Sequence, residues 1–318
     1  MTRAVVFAYH DVGVRCLRVL LAQGIEVPLV VTHQDNPAEQ IWFASVAQHA
    51  RWHGLTVATP ADPNAPEFLE QLRAARPDFL FSFYYRHMLG PEILQLPARG
   101  AYNMHGSLLP KYRGRVPVNW AVLKGETETG ATLHAMTVKP DAGAIVDAEA
   151  VPILPDDTAV EVFRKVCVAA EISLNRALPG LVAGTAKLRA QELSQGSYYG
   201  GRSAADGAID WRLGVRAVHN LVRAVAPPYP GAFALAGGMP LRVLRTAIGA
   251  SSGAGLSADD GAGRVQPGLR CRGGEVQALC ADGVLRLLEF ELDGKVRDAA
   301  AFHARFGDRI LPLTSGLK

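Results

Sequence analysis

Hydrophobic and polar positions alternate in blocks through the first two thirds of the chain. Ala4-Val5-Val6-Phe7-Ala8-Tyr9 is a short apolar run, as a strand buried on both faces requires, and it ends in His10-Asp11-Val12-Gly13. Residues 14–24 (VRCLRVLLAQG) then repeat with helical spacing and stop on a glycine. A second apolar run covers 25–33, followed by a polar loop at 34–39, a helix over 42–53 and a short strand over 55–58. A helix near 66–75, the run 78-DFLFSFYY-85, a strand over 101–105 and another over 131–138 continue the alternation. This βα rhythm predicts an α/β fold, a Rossmann-like, doubly wound and mostly parallel sheet, in which ligands sit outside the carboxyl ends of the strands. The first βα turn lacks the G-x-G-x-x-G spacing, so no nicotinamide or flavin dinucleotide is expected there.

Beyond residue 190 the texture changes. The Gly/Ser/Ala-rich stretch 191–205 reads as a linker between a domain over 1–190 and a smaller one over 206–318. A helix is expected at 215–225. Short apolar runs at 232–248, 264–271 and 275–292 follow, with turn signals at Gly238, Gly274 and Asp282-Gly283. They predict a small β-barrel or sandwich. The run 249–263 reads as a mobile loop.

Composition narrows the options. A formal charge of +3 is too small for the basic stripe of a nucleic-acid binder. The four cysteines form no C-x-x-C pair, so reduced, mostly buried thiols are expected rather than a zinc or redox site. The N-terminus enters a strand directly, with no signal-peptide pattern. No segment reads as the roughly 20 apolar residues that span a bilayer. A cytoplasmic protein without membrane insertion is expected.

Candidate chemistry lies in the centre. In Ala101-Tyr102-Asn103-Met104-His105 alternate side chains share a face, so Asn103 and His105 point the same way above the exit loop 106-GSLLP-110. Asp141 follows the next good strand. If the two strands are neighbours, an amide, an imidazole and a carboxylate meet at one edge. Such a set can polarise a carbonyl, hold an oxyanion and move a proton. None is an obvious nucleophile, which favours direct attack by a substrate group. A plainer reading stays open: a strand-end histidine is often only hydrogen-bonded, and an Asp before Ala-Gly often starts a turn.

The motif Asn103-x-His105-Gly106-Ser107-Leu108-Leu109-Pro110-x-Tyr112-Arg113-Gly114, with 125-GETETG-130 and Asp141-Ala142-Gly143, resembles the 10-formyltetrahydrofolate-dependent formyltransferase family. The likeness spans the first domain and reaches the second at 206-DGAIDW-211 and 223-RAVAPPYPGAF-233. It implies a Rossmann-like transferase domain followed by an OB-like barrel, with 10-formyltetrahydrofolate as co-substrate and no metal. The family's catalytic Asn, His and Asp fall on Asn103, His105 and Asp141. The implied roles are oxyanion contacts from Asn103 and His105, with Asp141 tuning His105 and assisting proton transfer to the folate. The folate is expected along 85-YRHML-89, at Arg86, Met88 and Leu89, and against the loop bearing Val138 and Lys139. Met88 and Leu89 also suit plain core packing.

Within the family the likeness is to the UDP-4-amino-4-deoxy-L-arabinose formyltransferases of lipid A modification, through 7-FAYHD-11, 32-THQDNPAE-39, 81-FSFYYRH-87, 105-HGSLLPKYRGRVPVNW-120 and 124-KGETETGATLHAM-136. This implies a UDP-amino-sugar acceptor near Tyr9, His10, Ser107, Arg115, Asn119 and Arg202. Gly201 stands where the pattern carries the first of two arginines. Each arginine also reads as a solvated charge. Trp120 reads as core rather than a stacking residue, and one of Tyr84 and Tyr85 is expected to face the pocket. The loop 33-HQDNPAEQIWF-43 holds two acids and no Lys or Arg, which speaks against a tRNA partner. Because the chain stops at 318, a stand-alone transferase is expected, with a separate enzyme supplying the amine; a homo-oligomer is compatible. Formylation of methionyl-tRNA and hydrolysis of the formyl-folate are the alternatives.

Overall fold

The computed structural model describes residues 1–249 and 266–316. The chain forms two compact units, neither contiguous in sequence: Met1–Val118, Glu128–Pro152 and Phe163–Gly200, and then Asn119–Thr127, Ile153–Val162 and Gly201–Lys318.

The first unit is built on β1 (Arg3–Ala8), β2 (Glu26–Val31), β3 (Val57–Ala58), β4 (Phe79–Phe83), β5 (Ala101–His105), β7 (Glu128–Ala135) and β8 (Ile145–Pro152), arranged β3-β2-β1-β4-β5-β7-β8. The pairings from β3 to β5 are parallel, while β5–β7 and β7–β8 are antiparallel. The sheet is therefore mostly parallel, as the βα rhythm predicts. β1 and β4 are buried along nearly their whole length, which explains their uninterrupted apolar runs. α1 (His10–Ala22), α2 (Val46–Trp52), α3 (Pro66–Ala75) and α4 (Pro91–Gln95) fall between the parallel strands. The order reverses between β1 and β4, whose carboxyl ends therefore form a topological switch point. A two-stranded ribbon, β6 (Arg113–Gly114) with β9 (Tyr198–Tyr199), completes the unit.

Several elements were not anticipated from the pattern, among them α5 (Pro117–Lys124), β8 and α6 (Ala159–Ala183). The expectation that no segment could span a bilayer is corrected by α6, which is long and apolar enough by length and composition. Its buried positions Phe163, Val166, Cys167, Ala170, Leu174, Leu178 and Leu181 recur at helical spacing, while Arg164, Asn175 and Arg176 are exposed. That is the amphipathic pattern of a core helix.

The second unit carries a closed barrel of β10 (Ala232–Ala236), β11 (Met239–Ile248), β12 (Gly268–Arg272), β13 (Glu275–Cys280), β14 (Gly283–Leu292) and β15 (Leu311–Ser315), in the order β10-β11-β14-β13-β12-β15. Closure decides between the barrel and the sandwich that the run spacing left open. Two hairpins turn on Gly237-Gly238 and Gly273-Gly274, all at positive φ, the two-residue turn that matches strand twist. α7 (Val215–Val225) lays Val218, Val222 and Val225 on the barrel core. α8 (Ala299–Phe306) adds Phe302, fully buried in the same core. The expected mobile loop at 249–263 lies outside the described residues except for Gly249. The four cysteines are free thiols, and three are buried.

Candidate active site

The site starts from the pairing of β5 with β7. Asn103 stands opposite His134 and His105 opposite Thr132, so all four side chains share one face of the sheet. Asn103 Nδ2 lies 3.1 Å from His134 Nε2, and His134 Nδ1 lies 2.9 Å from the Ala135 carbonyl. β7 runs antiparallel to β5, so its end lies at the sheet edge opposite to His105. Asp141 nevertheless comes within 3.5 Å of His105 Nδ1 and 3.6 Å of His134 Nε2, because residues 136–144 fold back. Gly143 makes that return possible: a Cβ there would stand 1.8 Å from the Ala135 carbonyl oxygen.

Neighbouring loops hold the cluster in shape. Thr132 Oγ1 donates to the Ser107 carbonyl (2.6 Å) and accepts from the Leu109 N–H (3.2 Å). Ser107 Oγ donates to the Lys111 carbonyl (2.6 Å). These bonds curl the exit loop until the Tyr112 carbonyl reaches His105 Nε2 at 2.8 Å. The Gly114 N–H then donates to Asp141 Oδ2 (2.9 Å). At Gly106, an added Cβ would stand 2.0 Å from the Tyr84 hydroxyl.

Residues 191–200, which composition marks as linker, belong to the first unit and build this wall. Gln191 Nε2 donates to the carbonyls of Asp141 (3.0 Å) and Gly143 (2.6 Å), pinning the returning loop. Ser197 Oγ accepts from the Tyr112 N–H (2.9 Å), and Tyr199 stacks on Tyr112. The small residues serve close approach rather than flexibility. A Cβ at Gly196 would meet the Pro110 carbonyl oxygen at 2.2 Å, and one at Gly114 would meet that of Tyr199 at 2.2 Å.

The electrostatics follow from these contacts. A carbonyl only accepts, so His105 Nε2 carries a proton toward Tyr112, and Nδ1 faces the carboxylate. Burial lowers the pKa of His105, and Asp141 partly offsets this. For Asp141, burial pushes the carboxyl up, but the neighbouring His105 and the Gly114 N–H help outweigh it, and the group is held at about 2. The ring is thus neutral beside a carboxylate. A second proton on Nδ1 would leave both ring N–H groups facing acceptors. Asn103 is half-buried, and its oxygen and second N–H make no hydrogen bond among the described residues.

Backbone strain gathers at the loops around this cluster and at the switch point. Among the described residues, His10, Arg76, Tyr84, Tyr112, Val116, Asp141 and Asp293 have positive φ without being glycine. Five of the seven lie at the carboxyl ends of β1 and β4, in residues 106–116 after β5, or at Asp141 itself. Such conformations cost about 1–3 kcal/mol each and collect where geometry serves function.

The remaining expected site residues divide. At the switch point Tyr9 is buried, its hydroxyl donating to Asp35 (2.8 Å) and its ring 4.7 Å from the Arg86 guanidinium. Burial and Asp35 push its pKa to about 12. His10 packs against Phe43, Trp42 and Phe163 and titrates at about 3 because of burial. Arg86 is paired with Glu39, so the acids of the second loop are occupied within the protein. Tyr84 and Tyr85 are both half-buried, and Tyr85 stacks on His33.

Met88 and Val138 are exposed apolar side chains, and Lys139 is exposed beside Val138. Asn64, unmarked by any motif, donates to the Met88 carbonyl (3.0 Å) and accepts from the Gly90 N–H (2.6 Å). Leu89 is buried, yet its backbone N–H and carbonyl make no hydrogen bond among the described residues. Ser107 is fully buried and braces the exit loop, a correction to its expected place at the substrate. Asn119 is corrected likewise: it is buried in the second unit and donates to the Ala224 carbonyl (2.8 Å). Arg115 is exposed in the first unit. Arg202, in the second, lies 4.9 Å over the half-buried Trp120 ring and donates to the Asp206 carbonyl (3.0 Å). His134 is the member of the cluster that the sequence reading missed. Its signal was the alternation of Thr132 and His134 along β7, legible only once the β5–β7 register is known.

Comparison with known proteins decides the family. The formyl transferase model matches residues 14–178, and that of the formyl transferase C-terminal domain matches 202–307. The chain belongs to the formyl transferase family. Solved structures agree at the level of fold. An N-formyltransferase from Helicobacter canadensis, in complex with folinic acid and dTDP-3-aminofucose, is 18% identical, covers 90% of this chain and 98% of its own, and has a TM-score of 0.71. WlaRD, a sugar 3N-formyl transferase in the presence of dTDP and 5-N-formyl-THF, is 16% identical over 90% and 97%, with a TM-score of 0.69. A sugar N-formyltransferase from a Shewanella species is 19% identical over 73% and 92%, with a TM-score of 0.60. Among the described residues no His, Cys, Asp and Glu group is arranged to hold a metal ion.

Proposed function

We propose that this formyl transferase moves the formyl group of 10-formyltetrahydrofolate to the amine of a nucleotide-linked amino-sugar, with UDP-4-amino-4-deoxy-L-arabinose of lipid A modification as the acceptor. The observation that carries the chemistry is the His105–Asp141 pair, 3.5 Å apart, beside the open amide of Asn103. The folate supplies an activated formyl group. Asn103 donates its free N–H to the formyl oxygen as negative charge grows there, a contribution of about 3 kcal/mol for such a donor. The neutral Nδ1 of His105 takes the proton shed by the attacking amine, and Asp141 stabilises the resulting imidazolium. Loss of that proton to the departing folate nitrogen resets the ring. The unpaired backbone groups of Leu89 suit the amide edge of a pterin, with Met88, Val138 and Lys139 beside it. Arg86, already paired with Glu39, contributes through position rather than as a free cation.

For the acceptor, the residue patterns given above favour the UDP-arabinosamine, and Arg202 is suited to its diphosphate. A dTDP-linked amino-sugar is the second reading, favoured by the dTDP ligands of two structural neighbours. The test is incubation with 10-formyltetrahydrofolate and each sugar nucleotide in turn, with mass-spectrometric detection of the formamide. Formylation of the UDP sugar supports the first reading and of the dTDP sugar alone the second. No formamide from either would refute the proposal.

A further inference from the structure

We infer that His134 is a positioning residue that sets which way the Asn103 carboxamide faces, an inference that rests on formyl transfer at this site. A carboxamide has oxygen and nitrogen ends of nearly equal size, so packing cannot choose between its two orientations; hydrogen-bond partners must. His134 is 2% exposed and has two short polar contacts. Its Nδ1 lies 2.9 Å from the Ala135 carbonyl, which can only accept, so Nδ1 carries the ring proton. In the neutral ring Nε2 is then an acceptor, and at 3.1 Å it takes one N–H of Asn103. The order of control runs from the Ala135 backbone to the His134 tautomer to the Asn103 amide. It leaves the second Asn103 N–H, rather than a carbonyl lone pair, available to an oxygen gaining charge.

Asp141 competes for the same nitrogen. Its Oδ1 lies 3.6 Å from Nε2, beyond hydrogen-bond reach and 0.5 Å farther than Asn103 Nδ2 (3.6 − 3.1 Å). A proton on Nε2 would serve the carboxylate, but it would expel the amide nitrogen and turn the Asn103 oxygen toward the ring. The Asn103 contact therefore goes with a His134 ring bare at Nε2. The buried ring belongs to the machinery without needing to touch substrate.

Two measurements test this. Long-range 1H–15N NMR of the imidazoles in the wild-type protein at neutral pH should show His134 protonated at Nδ1 and bare at Nε2. This readout needs no activity, so it stands even if the acceptor or the reaction has been misread. In kinetics, His134→Leu should lower kcat roughly ten- to hundred-fold with KM for both substrates within about two-fold, as expected for a misaligned donor. His134→Gln should recover most of the loss, because Asp141 attracts the amide nitrogen of the new side chain and leaves its oxygen for Asn103. A ring protonated at Nε2, or a His134→Leu enzyme with wild-type kcat, would overturn the inference.

Discussion

Two ends of the same sheet each hold a pair of shielded histidines, and the two pairs differ in what faces the rings. At the β1, β2 and β4 ends, His10 stacks on Phe43 and His33 on Tyr85. Both rings are held neutral by burial, titrating at about 3 and about 4. Asp11 stands 3.7 Å from His10 Nδ1, but that nitrogen already accepts from the Asp11 N–H. At the β5 and β7 positions, His105 and His134 are buried at least as deeply, yet face a carboxylate and an amide with free donor capacity. Burial therefore does not distinguish the two pairs. What distinguishes them is whether the second ring nitrogen has a partner that can stabilise an added proton.

The largest test of this contrast is removal of that partner. Asp141→Asn and His105→Ala should each lower kcat by about 10²–10³, the range for a lost general base or oxyanion donor. A turnover assay showing near-normal rates in either variant would erase the distinction drawn above.

Acid stability tests the other end. Unfolded His10 titrates near 6.5 and folded His10 near 3, so between these values the unfolded chain binds a proton that the folded one does not. Stability should therefore fall as pH drops from 6.5, by about 3 kcal/mol from His10 alone at pH 4. Urea unfolding of His10→Phe at pH 7 and pH 4 should show a correspondingly smaller acid loss. An unchanged acid loss would mean that the aromatic cage does not hold the ring neutral.

A smaller effect should appear where the two ends meet, at the Tyr84 hydroxyl above Gly106. Gly106→Ala forces a displacement costing about 1–3 kcal/mol, and Tyr84→Phe in the same chain should relieve much of it. Thermal unfolding of the single and double variants measures the coupling; strict additivity would argue against the contact. The smallest effect is a shift along the pH axis. Burial sets the acid limb of kcat/KM below the ordinary histidine value of 6.5, and Asp141 pulls His105 partly back up. The residual activity of Asp141→Asn should accordingly show its acid limb at still lower pH.

How much of the site was legible depended on how far apart its parts lie in sequence. Asn103 and His105 could be put on one face because a strand alternates its side chains, a local rule. Asp141 was singled out by its place after the next good strand and by motif likeness, yet its route was not foreseen: β7 is antiparallel to β5, and only the return of residues 136–144 brings the carboxylate back. His134 escaped notice because a histidine inside an apolar strand gives no local sign of which residue stands opposite. Ser107 and Asn119 looked like ligand contacts by neighbourhood in sequence, but buried hydroxyl and amide groups must find partners. The exit loop and the Ala224 carbonyl supplied them. Residues 191–200 misled through composition, since glycine and serine mark a flexible connector and a tightly apposed wall equally well.

The sequence by itself determined the alternation of elements, the mostly parallel sheet, the two-residue hairpin turns of the barrel and the formyl transferase motif. These depend on periodicities and turn chemistry written over a few neighbouring residues. Only the tertiary structure decided the β5–β7 register, the return of Asp141, the contact of His134 with Asn103 and the work of the glycines at 106, 114, 143 and 196. Each of these depends on groups far apart along the chain that meet within hydrogen-bond or van der Waals distance, and a one-dimensional pattern does not carry that information.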